Sequence, residues 1–341
     1  MKARGGVLNI LGIGLLAFLF LIRSASGDEK SLVIKLATLA PEGSALMKTF
    51  GSLNADVMKK TENKFQFKIY PGGVLGDETD MLRKMQIGQI QGAALSSGGL
   101  SSIFKEIDVL QIPFLFQTYE EVDFILNKMG SFLKRGFEEN GYVLLGWSEG
   151  GFIYLMSTLP ISSVADLKKA KVWIWEESPM SKAIFDEAGV SAIPLSATDV
   201  LVGLQTRMVD VVYAPPTYAI SLQWFTKIKY MTDVPLAYLA GGIVVNKETF
   251  IKIPLPIQGI IMESFKTPLD QFKIATRNEN REATKVMTKQ GVKIVTPTKD
   301  QVEEFKRLSN KAMGHVFGQS FSKKTFEEVT SLLESYRRGG K

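Results

Sequence analysis

Lys64 to Tyr70 alternates strictly, with Phe65, Phe67 and Ile69 on one side and Lys64, Gln66 and Lys68 on the other. A few residues later the apolar positions recur at helical spacing. This switch between a period of two and a period of about 3.6 repeats along the chain and limits the fold more than any other feature. Ser31 to Thr38 reads as a strand, and Gly43 to Lys60 as a helix carrying Leu46, Met47, Phe50, Leu53 and Val57 on one face. Pro71-Gly72-Gly73 closes the alternating strand. Asp77 is placed to cap a helix through Gln86, with Met81, Leu82 and Met85 as its buried stripe. Gln91 to Ser96 reads as a strand and Tyr119 to about Glu139 as a helix. Strands are then expected at Tyr142 to Gly146, Phe152 to Ser157, Lys171 to Glu176 and Val209 to Tyr213. Strands that alternate with helices predict an α/β fold with parallel sheets covered by helices. A helical run from Pro256 to Gln290 follows, which Pro268 is expected to kink or break.

The N-terminus has a different logic. Lys2 and Arg4 precede an apolar run from Val7 to Ile22, and Ser24 and Ser26 offer small residues for cleavage before Gly27. The run is shorter than the roughly 20 residues of a spanning helix, so residues 1–26 read as a cleavable signal peptide and the mature protein as exported to the periplasm. The chain has no cysteine, which excludes disulfides, a lipid-modified cysteine and thiolate metal sites. Losing Lys2, Arg4 and Arg23 with the leader reduces 41 basic residues to 38 against 35 acidic ones, so the net charge falls from +6 to +3. Mild, interspersed basicity gives no reason to expect a nucleic acid partner. About 315 mature residues are more than one core usually organises, so two domains are expected.

A set of short signatures occurs in one order along the mature chain. It comprises Gly73-Val74-Leu75-Gly76-Asp77-Glu78, Ile87-Gly88-Gln89-Ile90-Gln91-Gly92 and Ile112-Pro113-Phe114-Leu115-Phe116. Asp166-Leu167-Lys168, Lys171-Val172, Leu204-Gln205, Val209-Asp210 and Lys229-Tyr230-Met231-Thr232 follow. In these residues the chain resembles the extracytoplasmic solute receptors of tripartite ATP-independent periplasmic (TRAP) transporters, the DctP-type family. The resemblance implies a two-lobe periplasmic-binding-protein fold of type II-like form, with a cleft between α/β lobes and a long bracing helix. Lobe I would span 28–150 with about 239–280, lobe II 151–238 with about 281–325, and 326–341 would form a C-terminal helix or tail. The backbone would cross near Gly150 and Tyr238. The implied partners are a small-molecule ligand and the small and large membrane subunits; a monomer is expected, with no cofactor and no enzymatic activity.

The chain departs from that family where the ligand would bind. Typical members hold an organic acid with an arginine in a K-[IV]-R motif, because a planar guanidinium pairs bidentately with a carboxylate. Here the motif reads Lys171-Val172-Trp173. A second family arginine falls at Ile153, and a family asparagine at Ala214. Three polar contacts are thus replaced by apolar groups, which points to a changed ligand class.

The residues read alone agree with this. Trp173 and Trp175 are two apart on a strand and share a face. They sit at the carboxyl end of that strand, where open α/β sheets bind ligands. Tyr213, Ala214 and Tyr218 follow the end of another strand, and Leu39 and Ser96 occupy equivalent ends in the first lobe. With Trp147 and Ile153 at the crossing, these are the expected ligand-binding residues. An apolar or weakly polar solute is favoured; a carboxylate held by backbone amides and a quaternary ammonium in an aromatic cage stay open. Gly146-Trp147-Ser148-Glu149-Gly150 matches the G-x-S-x-G pattern of hydrolases, but a β-type run rather than a helix follows it. The single histidine, His315, lies in a polar helical segment, and Glu176 and Glu177 point to opposite strand faces, so no metal site is expected.

Overall fold

The computed structural model describes residues 31–175 and 178–339. The expected signal peptide at 1–26, the last residue of the Lys171–Glu176 strand and the Glu176-Glu177 pair lie outside the described residues. Ten strands form the sheet framework: β1 (Leu32–Thr38), β2 (Phe65–Tyr70), β3 (Gly92–Ser96), β4 (Tyr142–Ser157), β5 (Lys171–Trp175), β6 (Ser191–Leu195), β7 (Val211–Ala214), β8 (Tyr230–Thr232), β9 (Ala237–Asn246) and β10 (Lys293–Val295). Their main order is β2-β1-β3-β9-β4-β7-β5-β6. β1 runs parallel to β2 and β3, and β5 parallel to β6 and β7, as the strand–helix alternation predicts. The alternation of β2 is used as expected. Phe65 and Phe67 are buried, meet edge to face with ring centroids 4.9 Å apart, and Phe67 meets Phe265 at 5.7 Å.

Two antiparallel strands join the halves. β9 pairs with β3 on one side and with β4 on the other, from Tyr142↔Asn246 to Ile153↔Ala237. β4 then leaves β9 and continues against β7 and β8. The sequence reading of separate strands at Tyr142 to Gly146 and Phe152 to Ser157 is therefore corrected to one strand of 16 residues. The ladder runs through Trp147, Ser148 and Glu149, with irregularities between Leu144 and Gly146 and between Glu149 and Gly151. A bulge bends and twists a strand without ending it.

The Leu255–Lys289 helix braces the two halves, packing on the Ala45–Lys60 helix, on β4 and on the Pro216–Ser221 helix. Pro268 does not break it. An interior proline costs about 3 kcal/mol, but Ile261, Phe265, Leu269 and Phe272 are buried along the same stretch. Each such side chain contributes roughly 1.5–3 kcal/mol on burial. The Lys323–Arg337 helix closes the chain against the Tyr119–Glu139 helix, where Arg337 Nε donates to Glu121 Oε1 at 2.7 Å.

Gly151 sits where β4 passes between the halves, at φ +103°, and a Cβ there would lie 2.5 Å from Asn280 Nδ2 and 2.9 Å from the Tyr119 hydroxyl. Gly151→Ala should therefore lose on the order of 2–4 kcal/mol of stability through strain and crowding. Urea unfolding of the variant checks this.

Candidate ligand-binding site

Two adjoining cavities lie between the halves. The first, about 110 Å³, is lined by the loop after β1 (Leu39, Ala40, Pro41, Ser44), by the crossing (Ser148, Glu149, Gly150) and by Ser96, Thr217, Tyr218, Phe272 and Thr276. The second, about 50 Å³, is walled by Trp173, Trp175, Tyr213 and Trp224, with Ile153, Ala214, Gly98 and Asp108 around them. Glu78 and Tyr218 line both. The halves touch here. Ala197 N donates to Asp77 Oδ2 at 3.2 Å, and a Cβ on Gly98 would meet the Trp175 ring at 3.7 Å.

The aromatic wall follows from strand register. Alternation along β5 puts Trp173 and Trp175 on one face, with ring centroids 6.0 Å apart, and Val172 in the core behind. Trp173 also meets Tyr213 at 5.2 Å and Trp224 at 5.3 Å. Its indole Nε1 donates to Leu195 O at 2.9 Å, and the Tyr213 hydroxyl donates to Ser181 Oγ at 2.9 Å. Both polar ends are thus occupied within the protein.

The electrostatics are one-sided. Among the described residues lining the two cavities there is no lysine, arginine or histidine, whereas Glu78, Asp108, Glu149 and Glu279 are present. Glu78 opens the Glu78–Gln86 helix and folds back on the end of β3. Its Oε1 accepts from Ser96 N at 2.7 Å, and its Oε2 from Gly99 N at 2.8 Å and Ser96 Oγ at 2.9 Å. Burial pushes this carboxyl up to about 7, against the pull of those donors. Asp108 is likewise pushed up to about 7 by burial, against the Ser101 and Ser320 hydroxyls and the Gln111 amide, whose Nε2 donates at 2.9 Å. Burial also raises Asp77, although Glu78 N and Ala197 N donate to it. The nearest guanidinium is committed elsewhere: Arg277 binds Asp123 at 2.7 and 2.8 Å and Glu149 at 2.8 and 3.0 Å.

Of the residues expected from sequence, Leu39, Ser96 and Tyr218 line the first cavity, and Ile153, Trp173, Trp175, Tyr213, Ala214 and Tyr218 the second. Trp147 lines neither: it points to the other face of β4 and packs on Phe137, ring centroids 6.2 Å apart. Trp173 is more deeply seated than a strand-end position suggests, only 2% exposed. Glu78, Asp108 and Trp224 escaped the sequence reading. For Glu78 a signal existed, an acid after a cap residue with no basic neighbour at helical spacing; Asp108 and Trp224 are brought in by tertiary packing alone. Ser148, at the centre of the G-x-S-x-G pattern, lies in mid-strand opposite Gly241, and the His315 side chain is 69% exposed on the Lys299–Val316 helix.

A two-lobed α/β body with cavities where two long antiparallel strands join its halves has the form of a solute-binding receptor. The chain belongs to family 7 of the bacterial extracellular solute-binding proteins, whose family model matches residues 36–320. Among its relatives, the 2,3-diketo-L-gulonate-binding periplasmic protein YiaO of Escherichia coli is 26% identical over 242 residues, 70% of this chain and 74% of YiaO. The C4-dicarboxylate-binding periplasmic protein DctP of Rhodobacter capsulatus is 21% identical over 263 residues, 72% of this chain and 79% of DctP. The sugar acid binding protein of Advenella mimigardefordensis, solved with galactonate, superposes with a TM-score of 0.84 at 20% identity, covering 90% of this chain and 99% of that one. A TRAP periplasmic solute-binding protein of Shewanella oneidensis, solved with succinate, gives 0.82 at 17% identity, covering 89% and 99%. The protein is accordingly an extracytoplasmic receptor of the TRAP class, a binding protein and not an enzyme, working in the periplasm with membrane subunits.

The two carboxyls pushed up to about 7, those of Glu78 and Asp108, have a measurable consequence. Each ionises at higher pH in the folded chain than in the unfolded one, so their contribution to stability is full below about pH 4 and is lost as pH rises through about 7. The melting temperature of the unliganded receptor should fall between about pH 5 and about pH 8, and Asp108→Asn should flatten that fall; scanning calorimetry across this range decides it.

Proposed function

We propose that this receptor delivers to its TRAP membrane subunits a compact solute recognised largely through its apolar surface, rather than a simple carboxylate. The observation that carries this reading is the absence of any basic side chain among the described residues lining the cavities, together with the capture of nearby anion-binding donors by the protein's own acceptors. Helix N-termini and strand ends present N–H groups to anions in many proteins. Here Ser96 N and Gly99 N are held by Glu78, Ala197 N by Asp77, and Thr217 N by Asn280 Oδ1 at 3.1 Å. A ligand carboxylate would lose its hydration, meet like charge and find no guanidinium, a loss of several kcal/mol. Relatives named for dicarboxylates and sugar acids fit this fold, but the three replacements at Ile153, Trp173 and Ala214 distinguish this cleft.

The apolar contribution comes from the aromatic wall. Burying ligand surface against it contributes roughly 25 cal/mol per Å². Beyond Ile153 and Tyr213 lies a further apolar cavity of about 100 Å³, lined by Phe114, Leu155, Met180, Phe185 and Leu308. The lobes are proposed to hinge at Gly150-Gly151 and Tyr238-Leu239, closing as the ligand bridges them.

Isothermal calorimetry with succinate and galacturonate should show no binding tighter than about 1 mM, near −4 kcal/mol. Submicromolar binding of either would overturn the reading. Trp175→Ala should weaken the solute that co-purifies with the receptor by on the order of 1–3 kcal/mol, while small-angle scattering of the unmodified protein should show compaction when that solute is added.

A further inference from the structure

We infer that the solute carried by this receptor is a small organic cation, its ammonium group held between the buried carboxylates of Glu78 and Asp108 and the faces of Trp173, Trp175 and Tyr213. The inference rests on the reading that the cleft does not take a carboxylate, and it adds a sign of charge to it. Glu78 is 3% exposed and Asp108 5%, and both line the aromatic chamber. Neither is paired with a basic side chain among the described residues. Glu78 meets Ser96, Gly99 and the neighbouring Asp77; Asp108 meets Gln111, with Ser101 and Ser320 nearby.

Buried charge without a partner is costly, and breaking such a pair is far worse than never forming it. A neutral solute would leave both acids uncompensated and an anion would add to the repulsion. A cation removes the cost. The rings argue the same way, since aromatic faces attract cations most strongly when water is excluded. The N–H of Trp173 and the O–H of Tyr213 are bonded to Leu195 and Ser181, so what these rings have left to offer a ligand is aromatic surface. Glu78 Oε1 accepts one hydrogen bond, from Ser96 N, and has room for another donor. The Tyr218 hydroxyl, at the junction of the two cavities, makes no hydrogen bond among the described residues and can accept from the same ammonium.

The test is a thermal-shift and calorimetric panel on the full receptor. The probes are tetramethylammonium, choline, phenethylamine and tryptamine, each beside its uncharged carbon isostere, with succinate and galacturonate as acids. At about pH 8 at least one cation should bind at least about tenfold tighter than its isostere. That preference should shrink towards about pH 5, where the carboxyls gain protons while the amines stay charged. Asp108→Asn keeps the acceptor for the Gln111 amide, its side-chain oxygen taking the place of Oδ1. It should cost the cation about tenfold or more and leave the isostere unchanged. Trp175→Leu, which keeps apolar surface and removes the ring face, should also lower the cation's affinity selectively. An isostere that binds as tightly as its cation, or a panel in which no cation raises the melting temperature, overturns the inference and leaves the non-carboxylate reading standing. Tight binding of succinate or galacturonate overturns both.

Discussion

The architecture depends on how the bracing helix grips the strand that passes between the lobes. Arg277 and Asn280, one turn apart, hold consecutive residues of β4. Arg277 pairs with Glu149, while Asn280 Nδ2 donates to Gly150 O at 2.7 Å and its Oδ1 accepts from Thr217 in the second lobe. Burial works against the charge on Arg277, but Asp123 and Glu149 more than offset it and hold the guanidinium protonated; Tyr119 lies under it at 4.5 Å. The Tyr238 hydroxyl on β9 donates to the same Glu149 at 2.8 Å, tying both crossing strands to one ion pair. Removing one member of such a pair would strand a buried charge, at a cost of about 3–5 kcal/mol.

That clamp also shapes the chemistry of the cleft. The Arg277 guanidinium is consumed in holding Asp123 and Glu149, and among the described residues lining the cavities no base offsets the acids. A similar exchange occurs at the end of β3, where Glu78 takes the backbone donors that would otherwise suit an anion. The fold's own cohesion and the charge of the cleft are therefore set by the same hydrogen bonds. An asymmetric wall results, carboxylate on one side and aromatic on the other.

Much of this was legible in the sequence where the physics is local. The period of β2, the stripe Met81, Leu82 and Met85, the shared face of Trp173 and Trp175, and the limits of the Tyr119–Glu139 helix depend on spacing along the chain, and the structure shows them as expected. Readings failed where distant residues decide. Tyr142 to Gly146 and Phe152 to Ser157 read as separate strands because nothing local reveals that β9 lies alongside to carry the ladder through. Pro268 looked like a breaker because its cost is local and the burial that offsets it is not. Trp147 was placed in the site by its position at the crossing, although its ring packs on Phe137. Asp108 was invisible: an acid in a short 3-10 turn reads as solvated until packing buries it.

The division of the proposed recognition between lobes bears on how closure is driven. Glu78 and Asp108 precede β4 and belong to the first lobe, whereas Trp173, Trp175, Tyr213 and Trp224 follow it and belong to the second. In an open receptor a cation would meet the carboxylates in water, where an ion pair at contact contributes only about 1 kcal/mol. Closing the aromatic wall over it excludes water and strengthens both the ionic and the ring attraction. The solute thus favours the closed state by the difference between a wet and a dry site. Driving a two-state hinge from 1:99 to 99:1 takes a difference of about 5.5 kcal/mol, and only a ligand that engages both walls at once supplies it. A neutral solute of the same shape would gain the apolar part alone and would leave the acids, where ionised, to oppose closure, so under the proposed recognition selection for charge and selection for closure would be one physical step.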